Sequence, residues 1–317
     1  MSAGRSRFQR AGVTGGAGFI GSHLARALLD RGLSVTVLDN LSVGKRERVP
    51  PQARLVVGDV LDRAALSESL AGCEVVFHLA ARVAIRSSFE FVFEDALTNV
   101  GGTASVLQAA RQAGTVRRLI TASSMAVYAD GDGPRPIAEN HRTEPISPYG
   151  IGKLAAERLT HRVCAEAGIE SSVLRLFNTY GPGQTLSAYV GVVTIFVDNL
   201  RRGEQPTIFG DGEQCRDFVH VEDVVSGFLR AMEASASGET FNIGTGVPIS
   251  VNQVLDCLRR VMKTAGTARH VDPVPGENRY SIADIGKART MLGYAPQHRF
   301  ESSLPEVVEE ILKTSPA

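Results

Sequence analysis

Tyr149 and Lys153, in "YGIGK", stand four residues apart at the start of a helical segment and project from one face. That arrangement suits proton transfer by a phenol beside a cation. A free tyrosine has a pKa of ~10, so ionising it near neutrality takes a shift of ~3 units, ~4 kcal/mol. One cation ~4 Å away at an effective dielectric of ~20 supplies ~4 kcal/mol. The pair alone also reads as a surface contact, but a strand-end serine, Ser124, precedes it in "RLITASSMAVYADG". The two residues after that serine, Met125 and Ala126, cannot move a proton.

The surrounding chain must place these groups. "SVTVLD" (34–39), "ARLVVGD" (53–59), "EVVFHLAA" (74–81), "RRLITASS" (117–124) and "SSVLRLFN" (171–178) read as buried strands. Residues 18–31, 62–71, 95–113 and 148–167 carry apolar residues at helical spacing. The alternation predicts an α/β fold, a doubly wound parallel sheet of Rossmann type over 1–177. After residue 178, Gly and Pro become frequent and the strands shorten, which predicts a smaller α/β substrate lobe over 178–317, with some segments returning to the sheet. The first strand, in "FQRAGVTGG", is weakly apolar, so that edge is expected to be less stable.

"VTGGAGFIGSHL" places Gly15, Gly18 and Gly21 at GxxGxxG spacing between a strand and a helix, with Phe19 and Ile20 opening the helix. Such a turn lets backbone approach a pyrophosphate at a helix N-terminus. Asp39 ends the second strand, 24 residues after Gly15, where an acid grips the adenosine ribose and repels a 2′-phosphate. The expected cofactor is therefore NAD. Taken alone, Asp39 also reads as a turn residue beside Asn40.

With these motifs together, the chain resembles the extended short-chain dehydrogenase/reductase superfamily from about residue 11 to about 310, and within it the nucleotide-sugar 4-epimerases. The resemblance implies a catalytic set of Ser124, Tyr149 and Lys153. It implies Asp39 and Asn40 on the cofactor, Asp59 and Val60 near adenine, Leu79, Ala80 and Ala81 under the cofactor, and Asn99 steadying the active-site helices. It also implies a homodimer formed through residues around 95–113 and 148–167. In the second lobe it places Asn178 ("LRLFNTYGPGQ"), Arg216 ("GDGEQCRDF") and Arg279 ("PGENRYSIAD") on a sugar-nucleotide diphosphate, which guanidinium forks suit. Met125, Val193 and Ser281 join Ser124 as substrate contacts, Ser281 being the gate five residues after Gly276.

The same resemblance separates the chemistries. Related 4,6-dehydratases read Thr-Asp-Glu ahead of "VY", and uronate decarboxylases keep a glutamate there; Met125 and Ala126 stand in those places. Oxidation at C4 and its reversal, which is epimerisation, is what remains. UDP-glucose and UDP-galactose are the preferred sugars. UDP-N-acetylhexosamine is compatible with a small gate, and a uronate with Arg82 or Arg86; dTDP is an open alternative to UDP. A 4-keto reductase, or a silent NAD-binding regulator, would carry much of the same sequence.

Composition excludes other classes. The 34 basic and 34 acidic side chains give no net charge, so nothing argues for a nucleic-acid or membrane-surface partner. No apolar run reaches the ~18 residues of a membrane span, and "MSAGRSRFQR" has no apolar segment behind it to make a secretory signal. Four scattered cysteines without CxxC pairing argue against a metal site and for reduced thiols in the cytoplasm.

Overall fold

The computed structural model describes residues 6–83, 87–129, 133–184, 191–273 and 279–314. Thirteen strands lie among them: β1 (Arg10–Thr14), β2 (Ser34–Asp39), β3 (Arg54–Val57), β4 (Val75–His78), β5 (Arg118–Ser124), β6 (Glu170–Leu176), β7 (Asn178–Tyr180), β8 (Thr207–Phe209), β9 (Cys215–His220), β10 (Glu239–Ile243), β11 (Pro248–Ser250), β12 (Arg269–Val271) and β13 (Tyr280–Ser281). The α-helices are α1 (Phe19–Asp30), α2 (Arg63–Leu70), α3 (Val92–Ala96), α4 (Thr103–Ala113), α5 (Pro148–Ala167), α6 (Val192–Arg201), α7 (Val221–Glu233), α8 (Val251–Met262), α9 (Gly286–Leu292) and α10 (Phe300–Thr314).

Seven strands pair in parallel in the order β3-β2-β1-β4-β5-β6-β10. Alternation along β4 shows why both faces need cover: Val75 and Phe77 pack under α1 and α7, while Val76 packs under α2 and α4. This is the doubly wound Rossmann arrangement. It sets the carboxyl ends of β1, β2, β4 and β5 along one edge.

β1 departs from the expectation of a weak edge. It lies between β4 and β2, and its residues after Arg10 are buried. Its small residues are a packing requirement: a Cβ on Gly12 would come within 2.9 Å of Leu70 and 3.3 Å of the Cys73 sulfur.

The helix expected over 95–113 is three segments run together. Between α3 and α4, Leu97–Gly102 is π-helical. A Cβ on Gly102 would meet Val60 at 2.6 Å, so this wider turn packs backbone against the loop after β3. Such π segments recur at functional sites.

The second lobe is built on β9, flanked by antiparallel β11 and parallel β13, with β7 also pairing β9. Its own apolar core joins α6, α8 and α10. The chain does not stay there: α7 packs on α1, and β10 adds a strand beside β6 with Phe241 opposite Leu174.

Candidate active site

The turn after β1 is made of glycines because nothing larger fits. Gly15 has φ +70°, and a Cβ there would lie 2.7 Å from the Ala80 nitrogen. A Cβ on Gly21 would lie 2.2 Å from the Gly15 oxygen, so α1 begins hard against the turn. Gly18 opens α1 with no side-chain cap, so the first-turn N–H groups, those of Phe19 and Ile20 among them, lack an intrahelical acceptor. Asp39 accepts hydrogen bonds from Ala17 N (3.0 Å) and Leu41 N (2.8 Å). It therefore builds the turn as well as facing it, and each oxygen keeps a lone pair. Asn40 donates to Asp59 (2.7 Å), and Asp59 accepts from Leu61 N (2.9 Å) next to buried Val60. An uncapped helix start and a carboxylate at the next strand end fit a dinucleotide such as NAD.

A directed chain of hydrogen bonds supports the floor of this cleft. Ala80 N donates to Thr14 Oγ1 (3.3 Å), which pairs with His78 Nδ1 (2.8 Å). His78 Nε2 pairs with Thr103 Oγ1 (3.0 Å), which donates to Asn99 O (2.6 Å). Because Thr103 spends its proton on Asn99, His78 is the Nε2–H tautomer and accepts at Nδ1. Burial pushes the imidazole down to about 3, with the Lys153 charge adding to the effect, so it stays neutral. The Asn99 amide then clasps the backbone of Arg82, accepting from its N–H (3.0 Å) and donating to its C=O (3.1 Å). Leu79, Ala80 and Ala81 are thereby held between β1 and the π-helical stretch.

Ser124 closes β5 and accepts from Ala126 N (3.2 Å) at a short 3₁₀ turn. Tyr149 faces it from the first turn of α5, near enough for the serine to pull against the rise in the phenol's pKa. The start of α5 is fixed by Ser147, whose hydroxyl caps Gly150 N (3.1 Å), and by Pro148 in the first turn. A Cβ on Gly150 would lie 2.2 Å from Ala126 O, so only glycine brings Tyr149 this close to β5.

Lys153 is buried one turn further along, donating to Ala122 O (3.0 Å), with its ammonium 6.0 Å from the Tyr149 ring centre. Against the expectation from spacing, this lysine does not by itself bring the phenol towards neutrality. The ammonium is held on β5, and burial pushes Tyr149 up to about 12, against the pull of Ser124. Burial likewise pushes Lys153 down to about 8, opposed by Asp95 and then Glu157.

Met125 packs on the main core and Ala126 is nearly buried, so the bend after Ser124 offers no acid or base. In the second lobe, Asn178 opens β7, and its Oδ1 is buried with no hydrogen-bond partner among the described residues. Arg216 on β9 stands in register with Ser281 on β13, whose buried hydroxyl is likewise unpartnered. The two arginines meet through backbone, Arg216 Nη1 lying 3.4 Å from Arg279 O, while the Arg279 guanidinium pairs with Asp211 (2.7 Å). Val193 is buried in the lobe's core, so any contact it makes with a ligand falls to its backbone. Arg86 and Gly276 lie outside the described residues. His220, Glu222 and His298 bring ligand-type atoms close together, but the two imidazoles stack at 4.3 Å and 24°. Lone pairs in near-parallel planes do not converge on one ion.

Several supporting residues escaped the sequence reading. Asp217, beside Arg216, accepts from Thr245 N, Gly246 N and Ala283 N, tying β9 to two loops. Glu157 lies on the same face of α5 as Tyr149 and Lys153, and the i, i+4, i+8 spacing could have flagged it.

Residues 11–244 match the NAD dependent epimerase/dehydratase family. This chain belongs to that family. It is 36% identical over 305 residues to a UDP-glucose 4-epimerase of Mycolicibacterium smegmatis, covering 94% of this chain and 96% of the relative. The Thermotoga maritima UDP-glucose 4-epimerase, solved with UDP-glucose, superposes with a TM-score of 0.92 at 38% identity, covering 96% of this chain and 99% of that one. The Thermus thermophilus UDP-glucose 4-epimerase, solved with NAD, gives 0.89 at 32%, covering 97% and 100%. The family match spans the glycine turn, the Ser124–Tyr149 contact and Lys153. It ends just past β10, so Arg279 and Ser281 lie beyond it.

Proposed function

We propose that this chain is an NAD-dependent nucleotide-sugar 4-epimerase acting on a UDP-hexose, with glucose and galactose preferred. The observation that carries this reading is the close approach of Gly150 to Ala126 O, which sets Tyr149 at the end of β5 where Ser124 stands, beside a bend where Met125 and Ala126 supply no acid or base. NAD, when bound, supplies the hydride acceptor and donor at C4. With the positive charge of an oxidised nicotinamide added to that of Lys153 to favour its ionised form, Tyr149 would take the proton of the C4 hydroxyl, and Ser124 orients the same oxygen. Lys153 holds positive charge beneath them. The 4-keto sugar turns while Arg216 and Arg279 keep its diphosphate, and Tyr149 returns the proton to the oxygen on the other face. Elimination or decarboxylation would call for a further titratable group at the bend.

On this reading residues 1–177 hold NAD and 178–317 the sugar nucleotide, apart from α7 and β10. Unpartnered Asn178 Oδ1 and Ser281 Oγ support a polar ligand between the lobes. The small side chain of Ser281 also favours a second reading, an N-acetylhexosamine substrate. Exposed Phe89, Phe93, Leu97 and Ile151, near α3 and the start of α5, support a homodimer through these helices. Among the described residues no helix is long and apolar enough to cross a membrane, and we place the enzyme in the cytoplasm.

Product analysis by NMR with UDP- and dTDP-sugars and no added cofactor tests the reading. A C4 epimer without net NADH is expected. A deoxy-keto product, or free NADH in step with product, would overturn it. Y149F should abolish turnover while sparing NAD binding.

A further inference from the structure

Beneath Tyr149 and Lys153 lies a buried carboxylate that the reaction does not touch. Asp95, on α3, is 2% exposed. One of its oxygens accepts from Asn99 Nδ2 at 3.1 Å, and the same oxygen lies 3.6 Å from where a Cβ on Gly152 would stand. Gly152 precedes Lys153, so the absence of a side chain there brings the carboxylate against the stretch of α5 that carries Lys153. α3 packs along α5 throughout this region.

We propose that Asp95, without pairing directly with Lys153, supplies the unshared negative charge that keeps the buried ammonium protonated, a positioning residue for the charge near Tyr149.

The arrangement of charges leaves it that role. Lys153 has two carboxylates near it, Asp95 from α3 and Glu157 from its own helix. Glu157 is taken: Arg175 on β6 binds it through two hydrogen bonds and Ser123 Oγ through a third. β5 offers Lys153 only the Ala122 carbonyl, and His78 on β4 is neutral. The groups facing Asp95 are Asn99, Arg82 from the segment after β4, Tyr149 and Lys153. The Arg82 guanidinium sits over the Phe91 ring at 5.6 Å. A buried ammonium with no free counter-ion would lose its proton instead of paying the desolvation cost. Burial pushes the Asp95 carboxyl up, with Asn99, Arg82 and Lys153 pulling it back towards the charged form; charged, it opposes that loss and favours the protonated form of Tyr149.

The proposal rests on the Tyr149–Lys153 pair of the epimerase reading, so its test needs a readout independent of turnover. The chain has five lysines, so ¹³C-lysine labelling gives few Cε resonances, and K153M assigns the one at issue. With NAD present, D95N should lower the titration midpoint of Lys153 by about one pH unit. The alkaline limb of the epimerisation pH profile should move down with it. D95E, which keeps the charge, should restore most of the shift, and D95S makes the same charge change if D95N does not fold. An unmoved Lys153 midpoint in D95N or D95S would overturn the proposal, even if activity fell. A shifted midpoint with no epimer formed from any sugar would support it and count against the 4-epimerase reading alone.

Discussion

Arg175 holds Glu157 by two parallel hydrogen bonds, Nε to Oε1 at 2.9 Å and Nη2 to Oε2 at 2.7 Å, with both side chains nearly fully buried. Glu157 stands eight residues after Tyr149, so this fork fixes the height and rotation of α5 against β6. The fork continues outward: Arg175 lies over the Tyr128 ring at 4.7 Å, and Tyr128 donates to Asn242 at 2.6 Å on β10. Removing one member of a buried ion pair strands the other. E157Q or R175M should each destabilise the fold by about 3–5 kcal/mol. The double variant should recover a large part of that loss. Urea unfolding of the three proteins measures both effects, and additive losses would show that the pair is not coupled.

G150A should cost activity more than stability. Its Cβ would meet Ala126 O, and relief requires the first turn of α5 to move off β5, carrying Tyr149 with it. A displacement near 1 Å at a reacting group costs about 100-fold in rate. The expected result is a kcat about 100-fold lower with NAD affinity little changed. Unaltered kcat would mean that the contact with Ser124 tolerates movement.

His78 should make the protein acid-sensitive. Its folded value of about 3 lies below the ordinary 6.5, so the unfolded chain takes up the proton first. Stability should fall as pH drops from about 6.5 towards 3. Buried His220, held near 4 by desolvation and by the neighbouring His298, adds to the same slope. H78N removes one titrating group, so its unfolding free energy should change less between pH 7 and pH 4.5 than that of the wild type. Parallel slopes would remove His78 from the account.

S281Y should narrow the choice of sugar. Ser281 is buried opposite Arg216, with an unpartnered hydroxyl. A bulky ring there should raise KM for UDP-N-acetylglucosamine at least tenfold, while UDP-galactose turnover changes little. Steady-state kinetics on both sugars measures this, and equal losses would place the gate elsewhere.

How much of this was legible depended on whether a residue's role is local. Gly15, Gly18 and Gly21 announce a turn by themselves, and a buried parallel strand such as β4 shows as a short apolar run, Val75 to Phe77. Tyr149 and Lys153 share a helix, so spacing alone put them on one face. What the sequence hid was set by partners far along the chain. Nothing near "RAGVT" says that Leu70 and Cys73 press on Gly12, and nothing near Asp39 says that its oxygens hold Ala17 and Leu41. The position of the Lys153 ammonium, on Ala122 O and 6.0 Å from the Tyr149 ring centre, depends on the height of α5 above β5. The π-helical stretch was hidden because nothing local in Leu97–Gly102 says that Gly102 must pack its backbone against Val60, far along the chain.

The return of α7 and β10 to the central sheet has a consequence for how such an enzyme can be taken apart. A fragment ending at residue 177 would lose the strand that covers the free edge of β6 and the helix that covers α1, baring Leu24 and Leu28. The half proposed to bind the sugar nucleotide is therefore no transplantable cassette, since part of its sequence is the other half's wall. On the proposed reading, a new sugar preference would arise by substitution in place, at positions such as Ser281, more readily than by grafting one lobe onto another.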